Sequence, residues 1–258
     1  MSTRRKETLD LNLPGGGRLQ GDLSYTGAPA PWGALYVHGL GSTRAGEKTQ
    51  AVEAACARRG WTFAAFDFRG HGGSSGTMLD LRGSGLLADL EAARAALAER
   101  GVRRLCLVGS SMGGWAAAWF TLRCPGVVAA CALIAPAFDF LRHHWTTLPE
   151  AEQRCWKETG RLRVRNQWID TELGYGLVEE IEQFPVERLA AEWARPLLVF
   201  HGMQDDTVPY EHSLALVRQA GCPHIELRLY KDGDHRLTAI KDEIAESACG
   251  FFARWVAG

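Results

Sequence analysis

Arg104-Leu105-Cys106-Leu107-Val108-Gly109-Ser110-Ser111-Met112-Gly113-Gly114-Trp115 decides how the remainder of this 258-residue chain is read. Leu105 to Val108 is a short, unbroken apolar run, the signature of a strand buried on both faces. An Ala- and Trp-rich segment with helical character follows from about Gly114. Between them stands Gly-x-Ser-x-Gly, and in that strand-turn-helix setting it is a nucleophile elbow. The small residues at its ends let the chain reverse so tightly that Ser111 is held out at the carboxyl edge of a sheet. Ser110 is the rival nucleophile, but its flanking residues do not give the pattern.

Working outward, further apolar runs occur at Ala34 to Val37, Thr62 to Phe66, Val127 to Ile134, Leu197 to Phe200 and Ile225 to Tyr230. Segments with apolar residues three and four apart lie between them: Leu86, Leu90, Ala93 and Leu97 make one face, and Ile240, Ile244, Phe251, Phe252 and Trp255 another. Strands alternating with such helices predict a three-layer α/β fold around a mostly parallel sheet. Leu9 to Leu13 and Leu19 to Tyr25 alternate apolar and polar residues around Pro14-Gly15-Gly16-Gly17, which predicts an antiparallel edge hairpin. That glycine cluster lacks Gly-x-Gly-x-x-Gly and precedes a strand, so it is not read as a dinucleotide site. Residues 137–189 break the rhythm and hold Trp145, Trp156, Trp168, Tyr175 and Phe184. A connection of that length is expected to be functional.

Composition narrows the partners. With 29 Lys and Arg against 30 Asp and Glu the formal net charge is -1, and the basic residues are scattered among acids. Nucleic acid and anionic membrane surfaces are therefore excluded as expected partners. No apolar stretch reaches the length of a membrane span, and no apolar core follows the basic N-terminal residues as in a secretory signal. The 7 cysteines are odd in number, widely spaced and mostly set in apolar runs. They read as buried thiols of a reducing, cytoplasmic setting, and none has zinc-site spacing.

A serine hydroxyl needs a base, and the base an orienting carboxylate. The run Leu197 to Phe200 leads into His201-Gly202-Met203-Gln204-Asp205-Asp206-Thr207-Val208-Pro209, placing two carboxylates just past a strand end. The last strand leads into Asp232-Gly233-Asp234-His235-Arg236, and of the 8 histidines only His235 has that placement. Physics alone leaves Asp205 and Asp206 open, since either acid can orient the base while the other caps a helix or faces water. Ala34 to Val37 ends in His38-Gly39-Leu40-Gly41-Ser42, where the Leu40 amide, with the Met112 amide after the serine, is expected to form an oxyanion hole. Asp67 to Gly76 reads as a glycine-rich turn in which Arg69 and His71 fix the loop.

The assembled set, Gly109 to Trp115, His201 to Pro209 and Asp234-His235-Arg236, resembles the α/β-hydrolase superfamily along nearly the whole chain. Within it the similarity is to the subgroup of the mitochondrial palmitoyl-protein thioesterase that also cleaves acyl glucuronides, with its bacterial relatives. That resemblance implies Ser111 as nucleophile, Asp205 as the acid, His235 as base, and a helical lid over the site from residues 137–189. It departs from the subgroup at His38-Gly39, where Pro-Gly is the relative's pair. The implied activity is hydrolysis of carboxylic esters or thioesters through an acyl-enzyme, without metal or organic cofactor. The partner is then a small-molecule ester or thioester or an acylated protein, met by a monomer or small homo-oligomer. Trp115, Trp145, Trp156 and Trp168 are candidates to line an acyl pocket, against the alternative that they pack the lid on the body. Arg44 and Lys48 are candidates to meet an anionic leaving group, against simple solvation. A peptidase, a carbon-carbon bond hydrolase and a non-catalytic binding protein are the competing functions on this fold.

Overall fold

Alternation along each apolar run decides what the strands do. In β3 (Trp32–Val37), Ala34 and Tyr36 face one way while Leu35 and Val37 face the other, and all four are buried. The computed structural model describes residues 3–14, 16–165 and 169–256. The chain opens with a hairpin of β1 (Arg4–Asn12) and β2 (Arg18–Thr26), paired antiparallel, before β3. Then follow α1 (Glu47–Arg58), β4 (Thr62–Phe66), α2 (Gly83–Glu99), β5 (Arg104–Ser110), α3 (Met112–Arg123) and β6 (Val128–Ile134). A long excursion holds α4 (Phe140–Thr146), α5 (Glu150–Thr159), β7 (Arg161–Arg165), β8 (Asp170–Gly174), a 3-10 segment over Tyr175–Gln183 and α6 (Val186–Glu192). The chain closes with β9 (Leu197–Gly202), α7 (Tyr210–Gln219), β10 (Ile225–Tyr230) and α8 (Lys241–Val256).

Eight strands form one sheet in the order β1-β2-β4-β3-β5-β6-β9-β10, parallel from β4 to β10. The β1–β2 hairpin extends that sheet antiparallel at one edge, where alternating polar residues tolerate water. On one face Ala55, Cys56, Ala248 and Phe252 of α1 and α8 pack on Ala34, Tyr36, Cys106 and Val108. On the other, Leu86, Leu90, Trp119 and Phe120 of α2 and α3 pack on Leu35, Leu105 and Leu107. Burying each such side chain contributes about 1.5–3 kcal/mol, which is why runs apolar on both faces settle in the middle of the sheet. The predicted three layers and the edge hairpin are thus present. No helix among the described residues is long and apolar enough to cross a membrane.

Strand order reverses around β3 and β5, the place where open α/β sheets bind ligands beyond their carboxyl ends. The register keeps those ends level: Val37 pairs with Gly109, Ser110 with Ile134, and Ile134 with Phe200. The loops leaving β3, β5, β9 and β10 therefore meet at one edge. In the excursion, β7 and β8 form a separate two-stranded sheet that the sequence reading did not foresee. Its signal is the strict alternation Arg161-Leu162-Arg163-Val164-Arg165, with the apolar residues half-buried and the arginines exposed.

Candidate active site

Ser111 occupies the turn between β5 and α3 with φ 53° and ψ -118°, in the left-handed region that a side chain disfavours. The surrounding backbone holds it there: its N–H donates to Ile134 O at 2.9 Å, and its carbonyl accepts from Gly114, Trp115 and Ala137. Two glycines make the turn sterically feasible. A Cβ on Gly109 would lie 2.6 Å from Gly113 O, and one on Gly113 would drive into the carbonyls of Val37 and His38. The sequence Gly-x-Ser-x-Gly is thus a packing requirement as much as a motif.

The loops after β9 and β10 bring two side chains to this serine. His235 Nε2 lies 3.1 Å from Ser111 Oγ, and His235 Nδ1 lies 2.7 Å from Asp205 Oδ2. An ionised carboxylate only accepts, so Nδ1 carries the proton and the Nε2 lone pair faces the hydroxyl. The Asp205 side chain is buried. Its Oδ1 accepts the backbone N–H groups of Thr207 at 2.9 Å and Val208 at 2.7 Å. Its Oδ2 is shared between His235 and a second ring, His201 Nε2, at 3.1 Å. Burial alone would raise the Asp205 pKa, but the hydrogen bonds from His201, His235 and Val208 and the charge of His235 outweigh it and hold the carboxyl well below the usual range. Asp206, left equivalent to Asp205 by sequence physics, instead accepts from its neighbour Thr207 Oγ1 at 3.1 Å.

The loop after β3 is fastened from behind by two histidines. The Phe68 N–H donates to His38 Nε2 at 3.0 Å, so that nitrogen is unprotonated and Nδ1–H donates to Gly39 O at 2.9 Å. His71 repeats the arrangement, accepting from Gly41 N–H at 3.3 Å while its Nδ1 meets Arg69 O at 3.1 Å. Both rings are buried; burial and the neighbouring His71 push His38 down to about 4, and burial lowers His71. Leu40 lies between these anchors on the cavity wall. Among the described residues neither its amide nor that of Met112, the first residue of α3, donates a backbone hydrogen bond. Arg69 pairs with buried Asp89 through Nε at 2.7 Å, in keeping with a loop-fixing role.

A cavity of about 370 Å³ opens over Ser111 and His235. Its walls are mixed: Leu40, Phe140, Val164 and Ile169 are apolar, whereas Lys48, His143 and His144 are not. Lys48 Nζ donates to Arg236 O at 2.7 Å, and burial pushes its ammonium down to about 8. Among the described residues no group of side chains could hold a metal ion.

The substrate contacts expected from sequence are where the structure departs most. Trp115 is 1% exposed and packs edge-on to Phe184, with ring centroids 5.0 Å apart, in the core behind α3. Trp156 is equally buried, donates its indole N–H to Leu173 O at 3.2 Å, and meets Trp145 at a tilt and Tyr175 edge-on. None of these three indoles lines the cavity. Trp115 on α3 packs Phe184 of the excursion onto the body, whereas Trp156 and the half-buried Trp145 pack within the excursion, since a large apolar ring gains most where it is enclosed. Trp168 lies outside the described residues. Arg44 also points away from the cavity: its guanidinium pairs with buried Asp67 and with Asp22, and reaches Gln20 Oε1 at 2.9 Å. Sequence reasoning passed over His201, Phe140, His143, His144, Val164 and Ile169. For His201 alone was there a usable signal, four residues before Asp205 at a strand end.

The model of the prolyl oligopeptidase family matches residues 47–258. A mouse protein named palmitoyl-protein thioesterase ABHD10, mitochondrial, is 29% identical over 208 residues, spanning 80% of this chain and 69% of that protein. Its human counterpart is 26% identical over 208 residues, with 80% and 67% covered. The solved structure of alpha/beta hydrolase domain-containing protein 10 from mouse superposes with a TM-score of 0.78 at 26% identity, covering 96% of this chain and 98% of that one. Est1E from Butyrivibrio proteoclasticus, solved with ferulic acid bound, gives a TM-score of 0.81 at 20% identity over 97% of this chain and 100% of its own, which is a likeness of fold.

Proposed function

The chain belongs to the prolyl oligopeptidase family and has the α/β-hydrolase fold, and from that footing we propose that it is a serine hydrolase cleaving carboxylic esters or thioesters through an acyl-enzyme. The observation that carries the reading is the continuous relay from Ser111 Oγ to His235 Nε2 at 3.1 Å and from His235 Nδ1 to Asp205 Oδ2 at 2.7 Å. His235 takes the serine proton as Oγ attacks the carbonyl carbon. Asp205 holds the ring in the required tautomer and stabilises the imidazolium that forms. The Leu40 and Met112 amides receive the developing oxyanion, each such donor being worth about 3–4 kcal/mol in the transition state. His235 then gives its proton to the departing alcohol or thiol. Water, activated by the same ring, releases the acyl group.

The substrate is a small-molecule ester or thioester or an acylated protein. The mouse relative's name points to palmitoyl thioesters, and the mixed cavity wall with Lys48 suits an acyl glucuronide, whose sugar carries a carboxylate. Residues 137–189 act as the lid, since Phe140, His143, His144, Val164 and Ile169 close one side of the cavity. A peptidase on the same residues is the second reading, favoured by the family whose model matches. The test is hydrolysis of p-nitrophenyl esters from acetyl to palmitoyl, of palmitoyl-CoA and of a prolyl p-nitroanilide, by wild type and Ser111→Ala. Turnover of esters or thioesters with at least a hundredfold loss in the variant is expected, in line with loss of a triad nucleophile. Cleavage of the anilide alone moves the assignment to the peptidase, and an equally active variant overturns the serine mechanism.

A further inference from the structure

His201 takes no part in the mechanism above, yet it is fully buried and lies within hydrogen-bond distance of the acid of the relay. Its Nε2 faces two acceptors, Asp205 Oδ2 at 3.1 Å and Val208 O at 3.0 Å, so the proton sits on Nε2. Its Nδ1 is 2.8 Å from the hydroxyl of Ser213 on α7, which is itself fully buried. The ring is therefore a donor aimed at Asp205. A buried carboxylate is stable only with its lone pairs engaged. Here His235 and His201 take Oδ2, and the Thr207 and Val208 amides take Oδ1. The same Nε2–H also ties the Val208 carbonyl back to β9, so one ring clamps both ends of the loop that presents the acid.

We propose that His201 is a positioning residue for the hydrolysis, a second histidine that holds Asp205 Oδ2 in the direction of His235 and restrains its basicity. The inference rests on the reading of Ser111, His235 and Asp205 as the catalytic relay. Removing the donor leaves Asp205 a stronger acceptor from His235 Nδ1–H. That favours the imidazolium, so the base of the reaction gains its proton at higher pH. The other charged or titratable groups around the cavity that holds the relay are Glu47 and Lys48 on α1, His143 and His144 on α4, Asp206 after β9, and Asp234 and Arg236 after β10. They are untouched by a change at His201.

The experiment is the pH profile of kcat/KM for p-nitrophenyl butyrate with wild type, His201→Phe and His201→Gln. In the phenylalanine variant the acid limb should move up by about half a pH unit or more, since the carboxylate beside His235 has lost a hydrogen bond. The glutamine variant, whose amide reaches as far as Nε2, should restore a limb close to that of wild type. A lowered rate with the limb unmoved in both variants overturns the proposal and leaves His201 as a core residue. Should the phenylalanine variant fail to fold, ¹⁵N spectra of histidine-labelled wild type decide instead. A proton on Nε2 of His201 supports the clamp, and a bare Nε2 overturns it. Failure of the relay itself is recognised separately, because Ser111→Ala would then keep its activity whatever the His201 variants do.

Discussion

Acidification should loosen this fold at His38, the ring that fastens the loop after β3. In the folded chain burial and the neighbouring His71 push its pKa down to about 4, against 6.5 for the exposed ring. The folded state thus keeps the ring neutral over a range in which the unfolded state binds a proton. Stability is full above about pH 6.5 and falls as pH drops towards 4, because protons favour the state that binds them. Applied to these two pKa values, the linkage relation gives a loss of about 2 kcal/mol between pH 8 and pH 5 and a ceiling of about 3 kcal/mol below pH 4. Urea unfolding followed by tryptophan fluorescence at pH 8 and pH 5, for wild type and His38→Asn, isolates the effect. The variant loses the acceptor for Phe68 N–H and is less stable at pH 8, by about 1–3 kcal/mol. Its dependence on pH should nevertheless be flatter, so that the gap to wild type narrows by about 2 kcal/mol at pH 5. His144, also pushed down to about 4 by burial, titrates in both proteins and cancels from the comparison. Parallel pH dependences in the two proteins would refute the reasoning.

Three further outcomes are expected. Asp205→Asn should lower kcat/KM by about 10³- to 10⁴-fold, by loss of the correct tautomer of His235, while Asp206→Asn stays within about tenfold of wild type; steady-state kinetics on one ester separate them. Gly113→Ala should lower stability by about 1–3 kcal/mol and kcat with it, because its methyl group displaces the strand end that carries His38 and Leu40; thermal melts and kinetics check both. Trp156→Ala should cost about 3–5 kcal/mol of stability and leave the KM for short esters within about twofold; a large rise in KM with an unchanged melting temperature would return this indole to the substrate pocket.

What could be read from the chain was local grammar. An apolar run, a tight turn and a helical pattern have to succeed one another for Ser111 to stand at a strand end, and each of those features lies within a dozen neighbouring residues. His235 was legible for the same reason. Asp205 and Asp206 were not distinguishable, because what separates them is the orientation of the loop, set by the Thr207 and Val208 amides and by a ring on β9. The tryptophans misled because an indole has the same composition signal whether it lines a cavity or fills a core. Only the placement of Trp115 against Phe184 and of Trp156 against Leu173 shows which it does. Arg44 was misplaced similarly, its partners Asp67 and Asp22 being distant in sequence.

The direct pairing of β6 with β9 has a consequence for how such a protein can diverge. Cys131 lies beside Leu197 and Ile134 beside Phe200, although residues 135–196 intervene. The pairing of β6 with β9 itself does not need a short connection, since doubling a flexible loop costs only about 0.6 kcal/mol in closure entropy. The segment also supplies one wall of the cavity, and it is anchored to the body where the Ala137 N–H donates to the Ser111 carbonyl and where Phe184 packs on Trp115. A lineage that resizes the segment, or a laboratory that grafts it between relatives, can recast that wall of the cavity provided those two anchors are kept.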